Sequence, residues 1–281
     1  MRFSSFHAIF KRKALKNPQH SSRSRFELYV FPRQENFLSA LPEELKPKIM
    51  WNKKALQSFI IPTLSRELIL KRYVLKLLGS LKDKYVLELG CGSGYWMRIF
   101  HARGAICTGV DISNEQIKLA KSLNDKDITY IKHDAGDFVS SKKFDIVFID
   151  HIISETRSPK KIIQIIKNAK SLLRKEGFIV LNEMHPSVAN FPFKNMVVEK
   201  RYYYFKSGTP IIFRVKQQHN KHIKIKDYHW TLEDFSGFLY KTGFVINEII
   251  EPRFMKSKLS NSYLGLRNKF PSHIIIKATQ R

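Results

Sequence analysis

The chain has 281 residues, of which 43% are hydrophobic, enough for one large domain with a substantial core. No apolar run approaches the roughly 20 residues that a membrane span requires, so we expect no transmembrane segment. The two cysteines, Cys91 and Cys107, have no metal-ligand spacing, which argues against a disulfide scaffold and a zinc site, and we expect no metal.

Basic residues outnumber acidic ones by 50 to 24, which gives a formal net charge of +26. Residues 1–80 and 184–281 together carry +22 of this charge. Such a surface attracts nucleic acid, an anionic membrane or an acidic substrate. A lysine-rich proteome explains the same surplus, and we favour that interpretation.

The first 50 residues show weak periodicity and several Pro, Ser and Asn, which indicates an extension with short ordered pieces at most. Residues 1–25 contain seven Lys or Arg and no acid, a composition that resembles a mitochondrial transit peptide. We favour a basic, partly disordered N-terminal extension over a transit peptide. A cytoplasmic protein is therefore expected, and a mitochondrial one if the segment is a transit peptide.

Helical spacing of apolar residues from Trp51 to Gly79 predicts one or two helices, separated at Pro62. A regular alternation of strands and helices follows. The predicted strands are 85–90, 105–110, 128–131, 144–149 and 178–181, and the predicted helices are 95–103, 114–123 and 159–174. Strands that alternate with helices of this length indicate an α/β fold with a doubly wound parallel sheet.

The alternation breaks after His185-Pro186. Residues 187–229 are rich in aromatic, β-branched and basic residues, with Gly208 and Pro210 in a predicted turn, and we interpret them as an inserted cap with a β-hairpin. The cap's aromatic residues either line an apolar pocket or form the cap's own small core.

A further helix is predicted to start at Thr231, a suitable N-cap that has Asp234 three residues later as a capping-box partner. It is predicted to end near Gly243. Strands at 244–250 and 273–278 bring the sheet to seven, and the whole domain is expected to span residues 51–281.

A glycine-rich segment, Val86-Leu-Glu-Leu-Gly-Cys-Gly-Ser-Gly94, lies between the first predicted strand and its helix. Gly90, Gly92 and Gly94 let the backbone turn tightly and approach a ligand closely. Asp111 ends the second strand, where an acid can accept hydrogen bonds from both hydroxyls of a ribose. An N-cap for the following helix is the structural alternative for Asp111.

These residues resemble the class I S-adenosylmethionine-dependent methyltransferases, whose first strand and loop have the same apolar-acidic-apolar-Gly-x-Gly-x-Gly pattern. The similarity extends to His133-Asp-Ala-Gly-Asp137, to Phe144-Asp-Ile-Val-Phe-Ile-Asp150 and to Leu172-Leu-Arg-Lys-Glu-Gly177, where Lys-Glu-Gly replaces the family's Pro-Gly-Gly. It covers roughly residues 51–281 and is strongest over 84–183. The resemblance implies a Rossmann-like fold and S-adenosylmethionine as cofactor.

The resemblance also implies roles for individual residues. Glu88 is expected to face the cationic methionine end of the cofactor, and Asp111 the ribose. The remaining expected cofactor-binding residues are Gly90, Cys91, Gly92 and Gly94 around the methionine, Ile112 on the adenine, Asp134 and Ala135 near the adenine amino group, and Asp150. An NAD-dependent dehydrogenase is the alternative for such a loop, but those enzymes prefer GxGxxG.

Methyl transfer is an in-line displacement, in which an enzyme mainly aligns the reactants and excludes water. A general base helps when the acceptor is a hydroxyl. His151 and His185 follow the fourth and fifth predicted strands, at the edge where ligands bind, and are the candidate catalytic residues. For His151, hydrogen bonding to the backbone is the alternative. For His229, before the helix at 231, a capping or packing role is as compatible as closing over the substrate.

The His-Pro after the fifth strand, the insertion and Tyr228-His-Trp-Thr-Leu-Glu-Asp-Phe235 resemble the small-molecule branch of the superfamily. The resemblance implies methylation of a small molecule at oxygen or nitrogen. An RNA or protein methyltransferase that grips phosphates with the basic flanks is the first alternative, so a nucleic-acid partner is an open but less favoured prediction. A non-catalytic cofactor-binding scaffold is the second.

Overall fold

The computed structural model describes residues 66–123, 127–188, 196–199, 202–216, 222–253 and 270–281. The predicted extension 1–50, and the predicted helical segment before residue 66 with its break at Pro62, lie outside the described residues. Within the described ranges, no helix has the length and apolar character needed to cross a membrane.

Strands and helices are numbered here in chain order. The strands are β1 (Tyr85–Leu89), β2 (Ile106–Asp111), β3 (Thr129–Lys132), β4 (Phe144–Asp150), β5 (Leu173–Met184), β6 (Met196–Val198), β7 (Pro210–Lys216), β8 (His222–Tyr228), β9 (Phe244–Ile250) and β10 (His273–Gln280). The helices are α1 (Lys71–Leu78), α2 (Tyr95–His101), α3 (Asn114–Ser122), α4 (Ile152–Glu155), α5 (Pro159–Leu172) and α6 (Leu232–Lys241). A π-helical segment, Arg66–Leu70, leads directly into α1.

Seven strands form one sheet in the order β3-β2-β1-β4-β5-β10-β9. The first five strands pair in parallel, and β10 is antiparallel to both of its neighbours. The predicted seven-stranded, mostly parallel sheet is therefore confirmed. The strand order reverses between β1 and β4, and in doubly wound sheets ligands bind beyond the carboxyl ends of the strands at such a reversal.

Both faces of the sheet are covered, which explains why its central strands are mostly apolar. On β4, Val147 and Ile149 pack toward α5 and α6, whereas Ile146 and Phe148 pack toward α1, α2 and α3. Successive side chains of β4 thus point alternately into two hydrophobic cores, one on each face of the sheet, rather than into one core and the solvent. Burial on both sides makes the carboxyl ends of the strands a rigid platform for the loops.

The helix boundaries follow from local chemistry. The Ser158 side chain accepts a hydrogen bond from the Lys161 amide and caps α5, with Pro159 in its first turn. Thr231 and Asp234 form the predicted capping box of α6, and Gly243 follows this helix with a φ of 79°. The predicted capping box at Thr231 and Asp234 and the predicted end of this helix near Gly243 are confirmed.

Two boundaries differ from the sequence predictions. The predicted helix 159–174 ends at Leu172, because Leu173 is already extended and pairs with Phe144 on β4. Strand β5 therefore begins five residues before the predicted Phe178. The sequence also predicts no helix after β4, where the structure has the four-residue α4.

The segment after β5 contains a second, antiparallel sheet in the order β6-β7-β8. A small apolar cluster that includes Val188, Tyr202, Ile211 and Phe213 packs on one face of it. The predicted β-hairpin is confirmed as the antiparallel pair β7–β8. Gly208 lies in a turn, as predicted, with a φ of 70°, and its amide donates to the His229 carbonyl, whereas Pro210 already begins β7.

Candidate functional site

The carboxyl ends of β1, β2, β3, β4 and β5 meet at one edge of the main sheet. All of the predicted cofactor-binding residues lie on these strand ends or on the loops that follow them. Because the strand order reverses between β1 and β4, this edge is where a doubly wound sheet binds ligands.

The loop after β1 has three glycines in the left-handed region, with φ values of 74° at Gly90, 50° at Gly92 and 76° at Gly94. A Cβ at Gly90 would lie 2.5 Å from the Ile152 side chain, and one at Gly94 would overlap the Tyr130 hydroxyl. A Cβ at Gly92 would meet nothing closer than 3.9 Å. Gly90 and Gly94 therefore let Ile152 and Tyr130 pack against the loop, whereas the space beside the backbone at Gly92 is open.

Cys91 lies between these glycines with its side chain buried against Gly109 of β2. Burial, together with the charges of Glu88 and Asp111, raises the pKa of the Cys91 thiol, so the side chain is a neutral packing group. Its backbone amide donates to the Val110 carbonyl at 3.0 Å, which ties the loop to β2.

Glu88, on β1, is only 1% exposed, and its Oε2 atom has no hydrogen-bond partner within the described part of the chain. Burial and the neighbouring acids Asp150 and Asp111 raise its pKa well above the usual value, against the opposing charges of Arg66 and Arg98. A buried carboxyl with an unused acceptor is expensive unless a ligand supplies a donor or a positive charge.

Asp111 reaches across to the glycine loop. Its Oδ2 accepts a hydrogen bond from the Gly92 amide at 2.8 Å, and its Oδ1 accepts one from the Ser113 amide at 2.8 Å. Burial raises the pKa of Asp111, and these two amide donors partly offset the effect. Ser113, not Asp111, caps α3, so the structural alternative considered for Asp111 is wrong. Ile112 beside it is 67% exposed.

Asp134 follows β3 and is fixed by Lys161 of α5, with Nζ to Oδ1 at 2.7 Å, and by the Gly136 amide at 2.7 Å. Burial alone would raise the pKa of Asp134, but these two partners hold it below the usual value. The neighbouring Ala135 carbonyl accepts from the Asn168 side chain at 2.9 Å. The loop after β3 is thus anchored to α5.

Asp150, at the end of β4, lies in a buried polar cluster. Its carboxylate accepts from the Arg66 guanidinium at 2.6 Å, the Trp96 indole at 3.0 Å and the Asn182 amide group at 2.5 Å. Burial would raise the pKa of Asp150, but the Arg66 charge, His151 and these donors hold it below the usual value. Arg66 Nε and Asn182 Oδ1 have no partner among the described residues.

His151 comes next and adopts a left-handed conformation, with a φ of 61° that few residues other than glycine accept. Its Nε2 lies 3.8 Å from Asp150 Oδ1, and its ring packs edge-on against His273 with centroids 5.5 Å apart. Burial lowers the pKa of His151 although Asp150 opposes the shift, so the ring is neutral near pH 7.

His185, after β5, has both ring nitrogens engaged. Nδ1 lies 2.6 Å from the Ser187 hydroxyl and Nε2 lies 2.9 Å from Glu251 Oε1. Burial lowers its pKa against the opposing effect of Glu251. His229 bonds the Tyr204 carbonyl at 2.6 Å and stacks near Tyr202, which is the packing role considered for it.

Residues 86–177 match a family of proteins described as "Methyltransferase domain". Residues 86–177 are therefore similar to a methyltransferase domain. The matched residues of this domain run from β1 into β5 and include the glycine loop, Asp111, Asp134 and Asp150, whereas His185 and the second sheet lie beyond them.

Curated relatives resemble the methyltransferase domain over part of their length. A ubiquinone biosynthesis O-methyltransferase of Nitrosomonas europaea is 27% identical over 118 residues, which are 40% of this chain and 49% of that protein. One from Coxiella burnetii is 30% identical over 102 residues, 35% of this chain and 42% of that protein. The chain thus spans about half or less of the length of these relatives.

Solved structures share the fold over most of the chain. An S-adenosylmethionine-dependent methyltransferase of Listeria monocytogenes has a TM-score of 0.57 at 22% identity, over 73% of this chain and 94% of its own. One from Mesorhizobium loti has a TM-score of 0.55 at 19% identity, over 75% and 95%. These structures show that the chain shares their fold, and the family match over residues 86–177 confirms the predicted resemblance to methyltransferases.

The methyltransferase domain also brings together acidic residues that carry no recognisable motif. Glu183 at the end of β5 accepts from the Ile153 amide at 2.9 Å and from the Ser154 amide and hydroxyl at 3.1 and 2.7 Å. Burial raises the pKa of Glu183 to about 8 despite these donors. The carboxyl of Glu183 fixes the start of α4, the helix that follows β4.

The sequence does not predict the hydrogen bonds that Arg66 and Trp96 donate to Asp150. Trp96 has an apolar helical position that indicates core packing, and no pattern in the sequence connects it to Asp150. Arg66 comes from the segment before α1, and its 84-residue separation from Asp150 gives no sequence signal at all. Chemically, the site combines an open glycine loop with several acids, an arrangement suited to a ligand that has a sugar and a positive charge.

Proposed function

We propose that this chain is an S-adenosylmethionine-dependent methyltransferase that methylates a small molecule at a hydroxyl oxygen. The observation that carries the proposal is the open backbone at Gly92, whose amide donates to Asp111, just after the strand on which the buried Glu88 Oε2 atom has no partner among the described residues. A ligand with hydroxyls and a cationic end complements this turn.

The residues of the chain fit this cofactor. Each Asp111 oxygen uses one acceptor position on a backbone amide and keeps another for a ribose hydroxyl. Glu88 favours the positively charged methionine end, and the exposed Ile112 offers an apolar surface to the adenine. The other proposed contacts are Gly90, Cys91, Gly92 and Gly94 along the methionine, Asp134 and Ala135 at the adenine edge, and Asp150 within its buried cluster.

When bound, S-adenosylmethionine supplies a methyl group on a sulfonium that is a good leaving group. The chain's own residues then orient the acceptor, exclude water and remove a proton. His151 remains a proposed catalytic residue, because its lowered pKa keeps the ring neutral and able to accept a proton. His185 has no free ring nitrogen, so a role in proton transfer would require it to leave Ser187 or Glu251.

A small-molecule acceptor is supported by the names of the curated relatives, which are O-methyltransferases of ubiquinone biosynthesis. A nucleic-acid partner remains the less favoured alternative, because acids and arginines lie together around the glycine loop: Glu88 has Asp150 and Asp111 near it as well as Arg66 and Arg98.

A matched pair of glycine variants tests the proposal. Gly92 and Gly79 both have positive φ and nothing within close reach of a Cβ, but Gly79 lies after α1, before β1 begins. Gly92→Ala and Gly79→Ala each place a side chain at a positive φ, so a thermal melt of each variant records the backbone strain separately from the affinity. We expect wild type and Gly79→Ala to bind S-adenosylhomocysteine in calorimetry, and Gly92→Ala to bind about tenfold more weakly or worse, because the methyl group narrows the cofactor's approach. Equal affinities in all three would contradict the proposed site.

A further inference from the structure

The short helix α4 passes over the glycine loop at the carboxyl edge of the main sheet. Its first residue, Ile152, packs on Gly90, where a Cβ would lie 2.5 Å from the Ile152 side chain. Glu183 of β5 holds the start of the helix through the Ile153 amide, which donates to it at 2.9 Å. These contacts fix the position of the last residue of α4, Glu155, beside the proposed cofactor site.

Glu155 lies among charged groups from four separate segments. The charges of Asp111 on β2, Asp150 on β4 and Arg66 before α1 all act on its carboxyl. Glu155 in turn acts on Asp227 of β8. Charges are largely screened from one another beyond about 10 Å at 0.1 M salt, so these groups converge around Glu155. Its carboxyl is therefore close both to the proposed ribose ligand and to the end of β4.

The carboxyl of Glu155 is open to a ligand. The residue is exposed to solvent, yet burial by the surrounding protein is the largest cause that raises its pKa, to about 7. A side chain that has solvent access on one side and dense protein on the others lies in a cleft. The charges of Asp111 and Asp150 raise the pKa further and Arg66 opposes them. No described residue forms a hydrogen bond or ion pair with this carboxyl.

We propose that Glu155 lies beside the methyl group to be transferred and accepts the proton of the acceptor hydroxyl. The inference rests on the proposed function and adds to it the residue that removes the proton. His151 is the other candidate, but its ring packs against His273 and its Nε2 lies 3.8 Å from Asp150 Oδ1. A carboxyl that titrates near neutral pH is suited to the step, because it is both ionised and basic there.

The proposed step balances as follows. A bond forms between the hydroxyl oxygen of the acceptor and the methyl carbon while the bond between that carbon and sulfur breaks, and its electron pair stays on sulfur. The hydroxyl proton passes to the Glu155 carboxylate, which later releases it to water. The products are a methyl ether and S-adenosylhomocysteine.

A base in this position is affected by the charge of the sulfonium. The reacting oxygen lies about 3–3.5 Å from the methyl carbon, and the base lies within about 2.6–3.2 Å of that oxygen. The nearby positive charge lowers the pKa of the base. S-adenosylhomocysteine has the same amino acid and nucleoside parts but a neutral sulfur. The difference between the two ligands therefore isolates the effect of the sulfonium on Glu155.

The test counts the protons released when each ligand binds, by calorimetry at pH 7 in two buffers of different ionisation enthalpy, with no acceptor present. A group with a pKa of about 7 is half protonated at this pH, and lowering its pKa by one unit releases about 0.4 proton. We expect wild type to release about 0.4 proton more with S-adenosylmethionine than with S-adenosylhomocysteine. Glu155→Gln should lose this difference. Glu248→Gln, which alters an exposed carboxyl on β9, should keep it.

The ratio of the two affinities gives a second readout. At pH 8 the ionised Glu155 attracts the sulfonium, and a pKa lowered by one unit corresponds to about tenfold in affinity. Glu155→Gln should therefore lose about tenfold of the preference for S-adenosylmethionine and keep its affinity for S-adenosylhomocysteine. The variant removes a carboxyl from a group of acids, so it should melt at or above the wild-type temperature.

The negative results separate the two proposals. Equal proton release with both ligands in wild type, or an unchanged difference in Glu155→Gln, overturns the role of Glu155, while binding of S-adenosylhomocysteine leaves the proposed function standing. An affinity ratio that is the same in wild type and Glu155→Gln at pH 8 likewise overturns the role of Glu155. Failure of wild type to bind either ligand overturns both proposals.

Discussion

Replacing Asp111 tests the proposed grip on the cofactor's ribose. Its two oxygens accept amide hydrogens from Gly92 and Ser113, each at 2.8 Å, which leaves one further acceptor position on each oxygen. Loss of a charge-assisted pair of hydrogen bonds costs about 1.5–3 kcal/mol. At about 1.4 kcal/mol per factor of ten, Asp111→Ala should weaken cofactor affinity by about 10–100-fold.

The measurement is calorimetric titration with S-adenosylhomocysteine, accompanied by a thermal melt of each variant. Asp111→Ala also removes the tether of the Gly92 amide, so a fall in melting temperature is expected and is recorded separately from affinity. Glu248→Gln, which removes an exposed charge on β9, should change neither quantity. A folded Asp111→Ala protein with wild-type affinity would refute the assignment of the ribose to this carboxylate.

Two further predictions concern stability. Thr231→Ala removes the N-cap of α6 and should lower the free energy of unfolding, measured by urea titration, by about 1–2 kcal/mol. Thr231→Ser keeps a hydroxyl at the N-cap and should retain most of the wild-type stability. Equal losses in both variants would show that the hydroxyl is not the cause. The folded protein raises the pKa of Glu183 from its usual value to about 8, so the neutral carboxyl favours folding at low pH and this contribution is lost as the pH rises toward 8. Glu183→Gln, which stays neutral, should therefore gain stability relative to wild type as the pH rises from about 5 to about 8, by up to about 1.4 kcal/mol per pH unit, with no further gain above pH 8. Parallel stability curves would contradict the raised pKa.

Local sequence patterns predict most of the main sheet because its strands and helices are short, periodic and separated by glycine, proline or capping residues. Val86–Gly94 and Thr231–Asp234 are examples in which a few adjacent residues determine the geometry. The position of Asp111 is also predictable from local sequence, because β2 pairs with β1 and an acid at the end of β2 therefore lies beside the glycine loop that follows β1.

Contacts between distant segments are harder to predict. Arg66 and Asp150 form an ion pair across 84 residues, and neither belongs to a periodic pattern that specifies the other. The inward orientation of the Asp227 side chain depends on the register of β8 with β7. The alternation of lysines and apolar residues in β8 does not by itself tell which face of the strand is buried.

The most direct test of the central claim is a crystal structure of the full chain with S-adenosylhomocysteine. We expect the methionine part of S-adenosylhomocysteine to lie along Gly90–Gly94, its ribose hydroxyls to bind Asp111 and its sulfur to face α4. A nucleoside bound away from this loop, or a dinucleotide in its place, would contradict it.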